Sequence, residues 1–269
     1  MELQSRYADL KRQGIGLVAV SYDSTATLRK FASSRGITFP MIADAGSAII
    51  KRYGLLNETL DPKTRFYGVP HPGTFMLDRR GVITARYFED AYQERNTVNS
   101  ILARQVDPRA SPTAVRSETM HLTTQISISD AEVAPGKRVS IVFDVRPKSH
   151  MHVYAPGKHA YQVIAVRMDA QPWLKTLPTA YPPSEIFHFK QLDERVETYG
   201  KPFRLVQDVT ILATQEVQKM LAGVKEIKLT GQLEYQACDD KICYAPASIP
   251  VSFALSVREL DRKPAGGGL

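Results

Sequence analysis

Cysteine is all but missing from this chain. Its 269 residues hold two, Cys238 and Cys243, and residues 1–237 hold none. Chemistry that needs a thiolate nucleophile is thereby restricted to one short stretch. Tryptophan is scarcer still: Trp173 stands alone, next to Pro172, and is expected in a core or at its rim. No apolar window approaches the roughly 18 residues of a membrane-spanning helix. The start, Met1-Glu2-Leu3-Gln4-Ser5-Arg6-Tyr7, lacks the apolar centre of a signal peptide. Runs of one charge are lacking too. The 35 Lys and Arg against 28 Asp and Glu leave a net +7, but no basic run exceeds two residues. Charge spread in that way reads as a solvated basic surface and argues against nucleic-acid binding.

What is present fits an ordinary soluble protein. A chain of 269 residues, 43% apolar and 23% charged, can bury real cores and is better divided between two domains than folded as one. Leu3, Tyr7 and Leu10 form one stripe of a helix over residues 1–13, stopped by Gly14. The continuous apolar run Ile15 to Val20 predicts a strand buried on both faces of a parallel sheet. Asp23 or Ser24 can cap a helix that turns Leu28, Phe31 and Ala32 inward before Gly36. A short strand over Ile37 to Ile42, a short helix over Ser47 to Tyr53, and strands on either side of the turn Arg79-Arg80-Gly81 follow. A helix from Thr97 to Leu102 ends this half. Alternating strands and helices of this kind make an α/β domain.

Beyond Met120 the pattern changes to short alternating strands, among them Val139 to Val145 and Phe203 to Ile211. Turn signals such as Ala134-Pro135-Gly136-Lys137 separate them. About 140 such residues predict an all-β immunoglobulin-like sandwich. Two runs lie near the end. Ile227, Leu229, Leu233, Tyr235 and Ala237 share one parity, and Ile249, Val251, Phe253, Leu255 and Val257 share another. Both cysteines fall between them, at the tip of a β-ribbon. Parity puts Cys238 on the outward set if the first strand runs that far.

Each half resembles a known family. Gly16-Leu17-Val18-Ala19-Val20-Ser21-Tyr22-Asp23, Phe39-Pro40-Met41-Ile42-Ala43-Asp44 and Gly68-Val69-Pro70-His71-Pro72-Gly73-Thr74-Phe75-Met76-Leu77-Asp78 resemble the redoxin branch of the thioredoxin fold, the alkyl hydroperoxide reductase and thiol-specific antioxidant group. That resemblance implies a thioredoxin-like domain over residues 1–104. It puts Pro72, or else Pro70, where the family has a cis proline packed against its redox cysteines. It also implies that the family's first central strand and cysteine-bearing turn would precede Met1, so this half is expected to be truncated at its N-terminus. Leu233-Glu234-Tyr235-Gln236-Ala237-Cys238 and Cys243-Tyr244-Ala245-Pro246, with His152-Val153-Tyr154-Ala155-Pro156-Gly157 and Tyr199-Gly200-Lys201-Pro202-Phe203, resemble the amino-terminal periplasmic domain of DsbD-type thiol:disulfide interchange proteins. That second resemblance covers residues 119–258. It departs from the family where two prolines often follow Cys-Tyr, and its cysteine spacing is one residue shorter than in some members. Residues 105–118 read as a linker and 259–269 as a disordered tail.

Disulfide exchange needs one sulfur open to in-line attack and a partner thiol to resolve the mixed disulfide. A bridge between Cys238 and Cys243 closes a ring of six residues. By loop entropy it stabilises a fold by only about 2 kcal/mol, which argues against a purely structural staple. The two cysteines are therefore the candidate catalytic pair. Asp239, Asp240 and Lys241 bear on the thiolate in opposite senses, or simply form a polar turn. Tyr244, or an aromatic loop over Ile186-Phe187-His188-Phe189, can shield the sulfurs. His150 and His152, two apart on one expected strand, could hold a metal, although the spacing is a weak zinc signal. No cofactor is expected. The second resemblance implies thioredoxin-like thiol-disulfide partner proteins and a bacterial periplasm or cell envelope. Two other readings stay open. One is a non-enzymatic protein- or metal-binding module with a structural disulfide. The other is a thiol peroxidase, if a cysteine upstream supplies the thiolate.

Overall fold

A computed structural model describes residues 2–64, 67–88, 94–103, 114–189, 193–239 and 241–258. They fall into two compact units, one within Met1–Gln93 and the other within Glu94–Leu260.

The first unit alternates helices and short strands. Helix Glu2–Arg12 buries Leu10, and Tyr7 meets Phe39 edge to face at 5.8 Å. Ser24 caps helix Thr25–Arg35: its hydroxyl accepts from the Thr27 N–H, and Gly36 ends the helix in the left-handed conformation at φ 61°. Strands Ala19–Ser21 and Met41–Ala43 pair in parallel. Helix Ala48–Arg52 follows Ser47, but the capping acceptor is the Asp44 carboxylate, which takes the Ile49 and Ile50 N–H groups at 3.1 and 2.8 Å. Strands Gly73–Leu77 and Ile83–Phe88 form an antiparallel hairpin. Gly73 lies close under Phe88: a Cβ at that position would stand 2.3 Å from the ring and force it to shift.

Two expectations for this unit fail. Ile15 to Val20 is not covered on both faces: Val18 is 53% and Val20 39% exposed, and the strand has one neighbour among the described residues. Phe31 is exposed while Leu28 is buried, so helix Thr25–Arg35 presents a narrower apolar stripe than its sequence offers.

Among the described residues the second unit has three sheets. The largest runs Leu174–Thr176, Phe203–Ile211, Lys137–Pro147, Leu122–Ile128 and Val115–Glu118, with Arg95–Asn96 alongside Lys137–Pro147. The next runs Ala165–Met168, Glu226–Tyr235, Ala247–Val257 and Glu132–Val133. These two share one core. Ile141, Phe143, Leu205 and Ile211 come from the first sheet, and Leu229, Leu233, Ile249 and Leu255 from the second. Alternation in Ala247–Val257 is strict, with Ile249, Val251, Phe253 and Leu255 buried and their neighbours outside, as period two requires. The third sheet runs Glu185–Phe189, Glu194–Tyr199, His152–Tyr154 and Ala237–Cys238.

Helix Val98–Ala103, read from sequence as a helix over Thr97 to Leu102 ending the first half, groups with the second unit, as does strand Arg95–Asn96. Buried Glu94 reaches Arg138 at 3.4 Å and Lys175 at 3.3 Å, and Thr97 and Asn99 both donate to Asp130. Within the expected linker, Val115–Glu118 is an edge strand on Leu122–Ile128. Residues 104–113 and the tail from 259 lie outside the described residues. So does Asp240.

Candidate redox site

The long ribbon of Glu226–Tyr235 against Ala247–Val257 ends where Tyr235 pairs with Ala247. At Gln236 the chain leaves that sheet. Its side chain braces the departure: Oε1 accepts from the Gln162 N–H at 3.2 Å, and Nε2 donates to the Tyr244 carbonyl at 3.1 Å. Ala237–Cys238 then joins the third sheet, His152 opposite Cys238 and Val153 opposite Ala237. Because one residue is spent changing sheets, the parity that predicted an outward Cys238 no longer applies. Both Ala237 and Cys238 are buried, Cys238 at 1% exposure.

Cys243 returns to face Cys238 as a single antiparallel bridge, and the two sulfurs form a disulfide. Main-chain bonds close the hairpin on both sides of them: Tyr244 N–H donates to the Ala237 carbonyl and Asp239 N–H to the Ile242 carbonyl, each at 2.9 Å. One carboxylate oxygen of Asp239 accepts the N–H groups of Lys241 and Ile242 at 2.7 Å, and the other accepts the Tyr244 hydroxyl at 3.0 Å. Those backbone donors hold the Asp239 carboxyl below its ordinary range, and the bond to Asp239 raises the Tyr244 phenol. Asp239 thus stands as a turn-forming residue. Lys241 is exposed. Residue Cys243 is also exposed, so the disulfide joins one buried and one exposed residue.

Tyr154, in strand His152–Tyr154, reaches both sulfurs. Its hydroxyl lies 3.0 Å from Cys238 Sγ and 3.2 Å from Cys243 Sγ. With no hydrogen on a disulfide sulfur, the phenol is the donor. Burial, followed by the neighbouring Tyr161 and Glu194, pushes the Tyr154 phenol up to about 12, so it keeps its proton at neutral pH. Val196, Tyr161 and Phe187 complete the apolar packing around Tyr154 and Cys238. Tyr154 stood in the sequence inside His152-Val153-Tyr154-Ala155-Pro156-Gly157, a stretch that carried a family resemblance without a role for its tyrosine. Its signal was a lone hydroxyl-bearing aromatic between Val153 and Ala155, 84 residues from the nearer sulfur.

The other predicted supports fall differently. Phe187 packs on the sulfur cluster, but from strand Glu185–Phe189 rather than a loop. Tyr244 turns its hydroxyl to Asp239 and its ring to His121, at 4.6 Å. His121 is buried; burial first, and Lys148 second, lower its pKa. His150 and His152 do not share a strand: His150 sits in the preceding turn at φ 64°, while His152 packs on Phe187 at 4.2 Å. Among the described residues no group of three or more His, Cys, Asp or Glu is placed to hold a metal ion. Pro72 lies in the first unit and the cysteines in the second, and the described peptide bonds are all trans, so a cis Pro72 is not found.

Residues 1–86 match the AhpC/TSA family. Chloroplastic peroxiredoxin Q of Sedum lineare is 27% identical over 90 residues, covering 34% of this chain and 45% of the relative. That of Arabidopsis thaliana is 26% identical over 90 residues, covering 34% and 39%. The chain thus spans less than half the length of these curated relatives. Among solved structures, the N-terminal periplasmic domain of ScsB from Proteus mirabilis aligns with TM-score 0.36 and 14% identity, over 53% of this chain and 49% of that one. The N-terminal domain of Neisseria meningitidis DsbD in its reduced form aligns with TM-score 0.31 and 15% identity, over 58% and 94%. Over its first 86 residues, then, the chain carries a thioredoxin-like redoxin domain of the AhpC/TSA family, and a β-rich region holding both cysteines follows it.

Proposed function

We propose that the β-rich region, an immunoglobulin-like sandwich, exchanges its Cys238–Cys243 disulfide with a thiol protein. The observation that carries this reading is the asymmetry of the pair: Cys243 is exposed, Cys238 is 1% exposed, and one protonated phenol touches both. An incoming thiolate attacks Cys243 Sγ, and the Cys238–Cys243 bond breaks with its electron pair on Cys238 Sγ. Tyr154 donates its hydrogen bond to that leaving thiolate, a charge-assisted contact stronger than the one it makes to the disulfide. The partner's second thiolate then attacks its own sulfur in the mixed disulfide. The partner leaves oxidised and Cys243 is released reduced, two electrons having passed. Such a partner is a dithiol protein of thioredoxin type. A bridge of this kind persists in an oxidising compartment, which supports a location in the bacterial periplasm or cell envelope.

The reduction potential of the pair tests the reading. A value near about −200 mV, together with a mixed disulfide trapped on Cys243 in a Cys238→Ser variant, supports exchange; a value well below about −300 mV marks a structural bridge in a binding module and overturns it.

A second reading, thiol peroxidase, draws on the AhpC/TSA match over residues 1–86. Peroxide reduction needs a thiolate, and residues 1–237 have no cysteine, so the peroxidatic residue would have to be Cys238 or Cys243 or lie outside this sequence. Consumption of hydrogen peroxide by the reduced protein, lost in Cys243→Ser, would favour it.

A further inference from the structure

Behind Tyr154 stands a second tyrosine that exchange does not require to touch sulfur. The rings of Tyr154 and Tyr161 stack at 4.2 Å and are 3° from parallel. The Tyr161 hydroxyl donates to Glu194 Oε2 at 2.6 Å. Glu194 opens strand Glu194–Tyr199, and Val196, two residues on and therefore on the same face, packs against Tyr154 and Cys238. The pair is thus tied to the sheet that carries the sulfurs. His159 Nε2 donates to the Ala155 carbonyl at 2.8 Å, and its ring lies 5.3 Å from Tyr154 and 5.9 Å from Tyr161, tilted to both.

We infer that Tyr161 and Glu194 are positioning residues for the exchange, acting through Tyr154 to keep its hydroxyl between the two sulfurs. The inference rests on the reading under Proposed function and adds to it the residues that set the rate. A tyrosine free to rotate about its side-chain torsions would carry its hydroxyl away from Cys238 as that sulfur becomes a thiolate. A ring clamped face to face, and anchored at its far side by a short hydrogen bond to a carboxylate, is held in place. The groups that face Tyr154 are His152 on its own strand, His159 and Tyr161 on the following turn, Glu194 on the neighbouring strand, and the two sulfurs. The Glu194 carboxylate also disfavours ionisation of either phenol, which keeps Tyr154 a donor throughout the cycle.

The test is the second-order rate constant for reduction of the disulfide by dithiothreitol in the full chain, measured as a function of pH. Tyr154→Phe should slow reduction about tenfold, the scale of one hydrogen bond to a charged sulfur. Tyr161→Phe, which keeps the stack and removes the anchor, and Glu194→Gln should each slow it severalfold. Neither should slow it further in a Tyr154→Phe background, because residues that act through one group are non-additive. Equal rates for wild type and Tyr161→Phe would overturn the inference and leave exchange itself standing. Losses that persist in the Tyr154→Phe background, accompanied by a fall in melting temperature, would assign the pair a structural role instead. A wild-type disulfide that dithiothreitol cannot reduce sinks both the inference and the functional reading beneath it.

Discussion

Among single residues, His121 shows how the environment of the cysteine hairpin can be titrated without touching sulfur. It is buried, its ring lies on that of Tyr244, and its Nδ1 is 3.5 Å from the Tyr235 hydroxyl. Its folded pKa lies below the ordinary histidine value of about 6.5, so between the two values the unfolded chain binds more protons than the folded one. Stability therefore rises with pH across that window, is fully present above about pH 6.5, and is lost as pH falls towards the folded value. A wild-type melting temperature should drop between about pH 7.5 and about pH 5 by more than that of His121→Gln, whatever the absolute stability of the variant. Parallel slopes in differential scanning fluorimetry would remove His121 from this role. At the same scale, the two cysteines were legible because nothing else in the sequence offers a thiol. Tyr154 was not, because it and Cys238 are 84 residues apart and meet only once strand His152–Tyr154 pairs with Ala237–Cys238.

Among elements, periodicity read the long strands well and their ends badly. Glu226–Tyr235 and Ala247–Val257 have the alternation that the sequence displays, since each has one face on a large core. The prediction for Cys238 failed at one residue, Gln236, where a change of sheet shifts the phase that alternation assumes. Short strands Leu174–Thr176 and Ala237–Cys238 carry too few residues for any period to register. Segment 94–103 reads in sequence with the first half but groups with the second unit for a different reason. Its helical pattern continues the alternation of the first half, while the contact that fixes it, Glu94 to Arg138, spans 44 residues. The side chains of that pair are 7% and 8% exposed. Glu94→Ala leaves Arg138 and Lys175 without their shared carboxylate and should destabilise the second unit by about 3 kcal/mol, as loss of one partner of a buried pair does. Urea unfolding of the full chain checks it; a change under about 0.5 kcal/mol would mean the segment is held by its helix alone.

For the whole molecule, the distribution of sulfur separates the two units experimentally. Residues 1–237 have no cysteine, and the only disulfide lies in the second unit. Dithiol reduction should therefore leave the transition of the first unit unmoved. It should lower that of the second by only roughly 4–8 °C, the shift that about 2 kcal/mol produces in a unit of this size. Calorimetry of the oxidised and reduced chain decides it, and collapse of the second unit on reduction would show that the bridge holds the fold. Division into an α/β half and a β-rich half was visible in the sequence from the change of period near Met120. The boundary was not, because buried ion pairs rather than composition draw it.

The hairpin that carries the sulfurs is closed by its own main-chain bonds, Tyr244 to Ala237 and Asp239 to Ile242, and by the Asp239 carboxylate. None of these requires the sulfur–sulfur bond. Folding and oxidation form the two directions of one thermodynamic square, so whatever the bridge adds to folding must equal what folding adds to the bridge. About 2 kcal/mol on one side of the square corresponds to roughly 40 mV on the other. Such a small coupling means that folding shifts the pair's preference for the oxidised form only mildly from that of the unfolded chain. Opening and closing the bridge therefore asks little of the scaffold, which the hairpin's own bonds hold in either state.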